Sequence, residues 1–379
     1  MKKGLIILLS VLPYAVACGE YDIPGRPGVE APPVSFSKKE IAGILSQLPM
    51  GEEQLSEVYN AVNSSSQNGY DEEYTLEDLF LSPGAGVGDR KRGTRASITG
   101  TPLRSLFEDY FSERAVTRSG EVNIRACLDA LASSGMQIYV PYSEDWDGET
   151  YPIITFDPGY GAESNYGYEV RFGEDGVRVI DTVYVDEAVA SSRPVWVINN
   201  NVDSGFTPFE MFLTKSRSSD GQGEKRLMLK TFRMLRNYDT WFAGGSEFHI
   251  QMGSVDGFSA STEAELKLYS PSISEFTVVV KRKQLGQNIQ LNSIILTDFT
   301  EQLEKLAFLV TEDDGGTRTG WKCSATVKVQ SRSYGFDLDL PYNDKDDIVW
   351  RGQLAASYFR GHSFVTGRFG DVEITFGLE

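Results

Sequence analysis

Two histidines and many acids limit the chemistry available to this chain. His249 and His362 stand against 54 Asp and Glu residues and three cysteines. A His-x-x-x-His zinc pair is impossible, and zincin-type hydrolysis with it. A Ser-His-Asp triad would need one of the two histidines, and neither comes with a Gly-x-Ser-x-Gly turn. His249 falls on the polar side of a strand whose other side is Phe248, Ile250 and Met252, and His362 sits between Gly361 and Ser363. Both are expected at the surface. Carboxylates remain, because a glycosidase needs only a pair of acids at a set separation. Asp145, Asp147 and Glu149 are the first acids to test for that role. The same three are candidate calcium ligands, and further acidic clusters lie at Glu312–Gly315 and Asp344–Asp347. Calcium takes about six to eight oxygens from a turning backbone, and no cluster has the complete spaced loop. No cofactor is expected, with calcium the one exception left open. Tyr142 and Trp146 flank the first cluster, where exposed rings would form a platform for a sugar or a peptide.

The remaining chemistry is at Cys18. Lys2 and Lys3 precede an apolar run, Leu5–Leu12, which ends in Ala15-Val16-Ala17 directly before the cysteine. Gly4 to Ala17 is too short for a bilayer span, which needs roughly 20 residues. The pattern resembles the bacterial lipobox, whose cysteine is lipidated and becomes the new N-terminus. Residues 1–17 are therefore expected to be a signal peptide. Two or more acyl chains anchor a protein stably where one does not, so the membrane is expected as a partner through this anchor alone. Gly19 at the next position is compatible with the outer membrane by lipoprotein sorting rules. Whether the body faces the periplasm or the cell surface stays open.

Loss of Lys2 and Lys3 with the leader takes the formal charge from −18 to about −20. That charge repels phosphate backbones, so nucleic acid is excluded as a partner. Cys127 sits at helical spacing with Ile124, Leu128 and Leu131, and Cys323 alternates with Ala325, Val327 and Val329. Two separate core thiols are expected, although a disulfide is open to them in an oxidising compartment.

These residues need elements to hold them. Residues 18–36 carry four prolines and three glycines and form a tether. Residues 37–135 are a helical region. Ser37 and Glu40 make a capping box, Gln54–Val62 a second helix and Thr75 the start of a third. Thr101-Pro102 opens a fourth, and Asn123–Ser133 a fifth. Within the region a basic, Gly-rich loop, 84–100, offers Arg92 and Arg95 to a protease. Residues 136–225 form a middle β block. Gln137–Tyr142 and Tyr151–Phe156 are read as paired strands, and Gly173–Gly176 turns a hairpin between Tyr168–Phe172 and Val177–Asp181. Residues 226–379 alternate as an antiparallel β-sandwich, interrupted by one helix over Thr300–Ala307. The fold class is α+β and β-rich.

Several segments resemble a family of uncharacterised secreted lipoproteins from Bacteroidota. They include Tyr139–Asp147, Thr155–Gly161, Val195–Asn199, Arg236–Gly244 and Thr311–Gly316. The resemblance implies an envelope location and a shared multi-part architecture, and it brings no activity. The expected function is a lipid-anchored envelope protein whose β-rich body is a non-catalytic binding or structural module for a glycan or protein. Two alternatives are a carboxylate-dependent glycan hydrolase and a surface assembly subunit matured by cleavage near Arg92 or Arg95.

Overall fold

The computed structural model describes residues 34–80, 101–117, 123–173, 176–201 and 225–379, with backbone alone at 115–117. Cys18, most of the tether, and the basic loop with Arg92 and Arg95 lie outside the described residues. So does most of the polar stretch before residue 225.

The N-terminal body places helices α1 (Lys38–Gln47), α2 (Glu52–Gln67), α3 (Leu76–Phe80), α4 (Pro102–Thr117) and α5 (Ile124–Ala132) over one sheet. Local chemistry sets several of the helix starts. Ser37 and Glu40 cap α1 reciprocally, Thr75 Oγ1 accepts from Asp78 N–H, and Asn123 caps α5. The sheet comprises β1 (Glu73–Thr75), β2 (Met136–Tyr139), β3 (Ile153–Phe156), β4 (Ser164–Phe172), β5 (Arg178–Asp186) and β6 (Val195–Asn200), in the order β1-β2-β6-β3-β4-β5. A short helix, α6 (Glu187–Ala190), follows β5.

Two expectations change here. The strands β2 and β3 do not pair with each other; β6 lies between them, antiparallel to β2 and parallel to β3. Val195–Ile198 is apolar throughout and buried on both faces, which suits a central position. The helical region and the middle strands, read as separate, share one core in which Leu45, Val58, Leu79 and Phe107 meet Ile138, Trp196 and Ile198. Phe36, at the end of the tether, joins that core against Phe111.

The C-terminal body is the expected antiparallel sandwich. One sheet runs β10 (Ile289–Phe299), β7 (Lys225–Met234), β16 (Val372–Leu378), β15 (Phe364–Phe369). The other runs β13 (Arg332–Asn343), β12 (Arg318–Val329), β11 (Leu303–Glu312), β8 (Ser246–Ser254), β9 (Ser272–Val280), with β14 (Asp347–Ala355) also on β11. Inward residues such as Phe232, Ile374, Ile250 and Leu309 form a single core between them. The helix expected over Thr300–Ala307 is absent: a turn leads into β11. Leu303, Leu306, Ala307 and Val310 fall at helical spacing, but they belong to a strand flanked by β8 and β14 and buried on both faces. Among the described residues no helix is long and apolar enough to cross a membrane.

Candidate functional site

The two bodies meet along the loop between β7 and β8. Trp241 and Phe242 leave the sandwich and pack on the back of the N-terminal sheet with Tyr139, Ile153, Val195 and Val197. Asn199 Nδ2 donates to the carbonyls of Phe242 (3.0 Å) and Ala243 (2.7 Å), and Trp241 Nε1 donates to Glu163 O. Asp71 then accepts from Gly245 N–H at 2.8 Å. A Cβ on Gly244 would sit 2.6 Å from that carboxylate, and one on Gly245 2.7 Å from Val280 O, so both positions require glycine.

This seam is lined with acids. Glu72 accepts from Ser143 N–H and Oγ–H and shares a hydrogen bond with Glu144, which faces Lys281 at 3.7 Å. Burial, with the charges of Asp71 and Glu144 beside it, raises Glu72 to about 9. Asp239 and Glu312 share a second carboxyl–carboxyl bond. Burial and that neighbour raise Glu312 to about 11, while Asp239, also raised chiefly by burial, stands at about 6. Two carboxyls can share a hydrogen bond only if one keeps its proton, so at neutral pH both Glu72 and Glu312 are acids in the un-ionised form. Arg282 closes the row, donating to Glu187 and to Asp239 O. The seam is a junction whose inner acids, Asp71, Glu72 and Glu312, are buried while Glu144 and Glu187 reach solvent.

The loop singled out in the sequence lies next to it and is put to other uses. Trp146 is buried, edge-on to Tyr59 and Trp196, with its Nε1 donating to Thr150 O. It is a lid on its own core and presents no ring to a ligand. Tyr142 is half-buried and donates to Glu187. Asp145 pairs with Lys283 at 2.7 Å. Asp147 accepts from Glu149 N–H, Thr150 N–H and Thr150 Oγ–H, which holds its carboxyl below the usual range, and Glu149 is exposed. Among the described residues no group of three or more His, Cys, Asp or Glu side chains is placed to hold a metal ion.

His249 is buried, contrary to the expectation, while His362 is exposed. The polar face of β8 is covered by the turns around Asp313 and Asn343. His249 Nε2 meets Asp313 at 3.2 Å and Nδ1 meets Thr277 Oγ1 at 2.9 Å. Burial alone would raise Asp313, but the bonds from His249 and Gly315 N–H bring it below the usual range. The order hydroxyl, imidazole, carboxylate is that of a triad. All three side chains are buried, however, so the hydroxyl has no open face toward a substrate. Cys127 and Cys323 are not joined in a disulfide; the first is buried and the second half-buried.

A shallow groove of about 730 Å³ lies where the β12–β13 hairpin and β14 come together. It is lined by Trp321, Lys322 and Cys323 from β12, Asp337 and Asp339 from β13, and Gln353 from β14. Register places Lys322 opposite Asp339 and Ser324 opposite Asp337, on the exposed side of the hairpin. Gln353 Nε2 donates to Ser324 O, tying β14 to the hairpin. No protein-family model, curated protein or solved structure matches this chain. The alternation of Phe336, Asp337, Leu338, Asp339 and Leu340 is a local strand signal. The groove depends on the strand β14 laid beside the hairpin, and no local signal carries this.

Proposed function

We propose that the chain is a lipid-anchored envelope protein whose β-rich body holds a hydroxyl-rich ligand, a glycan, in the groove between β12, β13 and β14. The supporting observation is the groove's lining. A cation, two carboxylates and an amide line it together with Trp321, whose ring is half-buried against the sandwich core on the other side of β12. Polar groups of both kinds next to an aromatic are what a sugar's hydroxyls and C–H face require. The anchor half of the reading rests on the leader and Cys18.

A glycan array probed with the full chain tests the first half. Binding that is lost on Trp321→Ala and weakened by Gln353→Ala is expected; a blank array, or binding indifferent to both changes, rejects the groove as the seat. Mass spectrometry tests the second half, since an unmodified thiol on Cys18 in the mature product rules out the anchor.

The hydrolase reading is favoured by one observation. Asp337 and Asp339 share a strand face in the groove, so two carboxylates open onto one surface, as carboxylate-dependent glycosidases require. Release of reducing ends from a bound glycan, abolished by Asp339→Asn, would turn the binding module into an enzyme.

A further inference from the structure

The strand β5 ends its sheet. β4 lies along one side, and no described strand pairs with the other. The phase of the ladder fixes which groups face outward. At the hairpin turn Gly173 N–H donates to Val177 O at 2.9 Å. Counting from there, Val179, Asp181, Val183 and Val185 direct their backbone groups to β4. Arg178, Ile180, Thr182, Tyr184 and Asp186 therefore turn N–H and C=O away from the sheet. Ile180 is 40 % exposed and Tyr184 64 %. Natural edges are short, charged or covered; this one is 9 residues long, with Val179, Ile180, Val183, Tyr184 and Val185 set among Arg178, Asp181 and Asp186.

We propose that β5 is a homodimer interface, pairing antiparallel with β5 of a second copy about a two-fold axis at Thr182. The strand is complementary to itself in that register. Ile180 meets Tyr184 twice and Thr182 meets Thr182; at each end Arg178 and Asp186 bring their backbones, since the Arg178 guanidinium is held by Ser46 O and Gln47 O and the Asp186 carboxylate caps α6. Asp181 falls opposite Val183. Centring the pair on Asp181 would oppose that carboxylate to its own copy, and like charges directly opposed destabilise a ladder. Centring it on Val183 would set Ile180 against Asp186 and leave Arg178 beyond the end of its partner. The favoured register gives about ten new backbone hydrogen bonds.

Charge points to the same occupant. The chain carries −18 overall, which opposes contact between copies over most of its surface. Around β5 the charges nearly balance and are mostly paired within the chain, Asp181 with Arg171 and Glu187 with Arg282. Glu169 is already paired with both Arg171 and Arg193. A near-neutral edge on an acidic body is where a second copy meets least repulsion. Two-fold closure uses both edges and stops growth at the dimer.

Thr182→Cys in the full chain tests the register directly. Hydrogen-bonded antiparallel partners lie about 5.5 Å apart at Cα, within disulfide reach. Mild oxidation should give a linked dimer on a non-reducing gel, above the background of the parent chain with Cys127 and Cys323. Tyr184→Cys alone should stay monomeric, because its own mate is displaced about 13 Å along the strands. Mixed with Ile180→Cys it should cross-link. Ile180→Pro added to Thr182→Cys removes an outward N–H that the fold does not use; it should abolish the cross-link with circular dichroism unchanged. A Thr182→Cys chain that stays monomeric overturns the proposal. So does a Tyr184→Cys chain that links to itself as readily as Thr182→Cys.

Discussion

Asp239 and Glu312 lie at one end of the sandwich and Asp337 and Asp339 on its outer face, and the two pairs have opposite surroundings. The first pair is enclosed between the bodies and shares a proton; the second stands in an open groove beside Lys322. In the seam a buried carboxyl is a hydrogen-bond donor that helps close the junction. In the groove it is a charged acceptor available to a ligand. Burial, not residue type, separates the two roles. With Glu72 and Glu312 un-ionised, the folded chain at neutral pH carries fewer negative charges than its formal −18. An acidic composition is thus a poor guide to where acids do chemistry.

The sharpest way to break the comparison is to open the seam. Trp241→Ala removes a fully buried ring that the sandwich lends to the other body. It should cost about 3–5 kcal/mol in urea unfolding and separate the melting of the two bodies. A loss under about 1 kcal/mol would mean that the junction is soft.

Titration gives the next largest effect. Unfolded, the two glutamates release their protons near pH 4.3; folded, they keep them to about 9 and about 11. Between those limits the folded chain holds protons that the unfolded chain lacks, so stability falls as pH rises. It is fully present below about pH 4.3 and is lost as pH climbs through about 9, at a slope of at most about 1.4 kcal/mol per pH unit for each proton. Asp239, raised to about 6, adds to the early part of the decline with the same sign. Tm should therefore drop between pH 5.5 and 8.5, and Glu312→Gln, which is neutral at every pH, should flatten the drop. A parent Tm that is constant over this range would show that the seam acids are ionised after all.

Between these buried acids and the groove stands His249. His249→Ala strands Thr277 Oγ1 and removes the partner that helps hold Asp313 below its usual range. Leaving buried polar groups unpaired should cost about 2 kcal/mol, read as a lower urea midpoint. An unchanged midpoint would mean that water already reaches the pair.

Much of the scaffold was legible because its signals are local. The Ser37 capping box, the proline at the start of α4 and the alternation of Phe248, Ile250 and Met252 each act within a few residues, and the structure follows all three. The misreadings arise where distant packing decides. The spacing of Leu303, Leu306, Ala307 and Val310 suits a helix equally well until β8 and β14 flank it. Trp146 in an acidic loop reads as a platform until Tyr59 and Trp196 cover it. His249 sits on a polar face as expected, but the turn at Asp313 covers that face. The seam joins Glu72, Asp239 and Glu312 from three distant parts of the chain, and no spacing rule links them.

The smallest structural effect should accompany the largest functional one. Asp339→Asn changes one exposed atom on the rim of the groove and should shift the unfolding midpoint by no more than about 0.5 kcal/mol. If the groove holds a glycan, the same change removes a charged acceptor and should weaken binding about 10-fold, as loss of a hydrogen bond to a charged group does. Stability and binding thus move independently in the groove, whereas Glu312→Gln in the seam should move stability alone. Equal binding by the Asp339→Asn and parent chains would place the ligand elsewhere. A large loss of stability in that variant would show that Asp339 belongs with the structural acids of the seam.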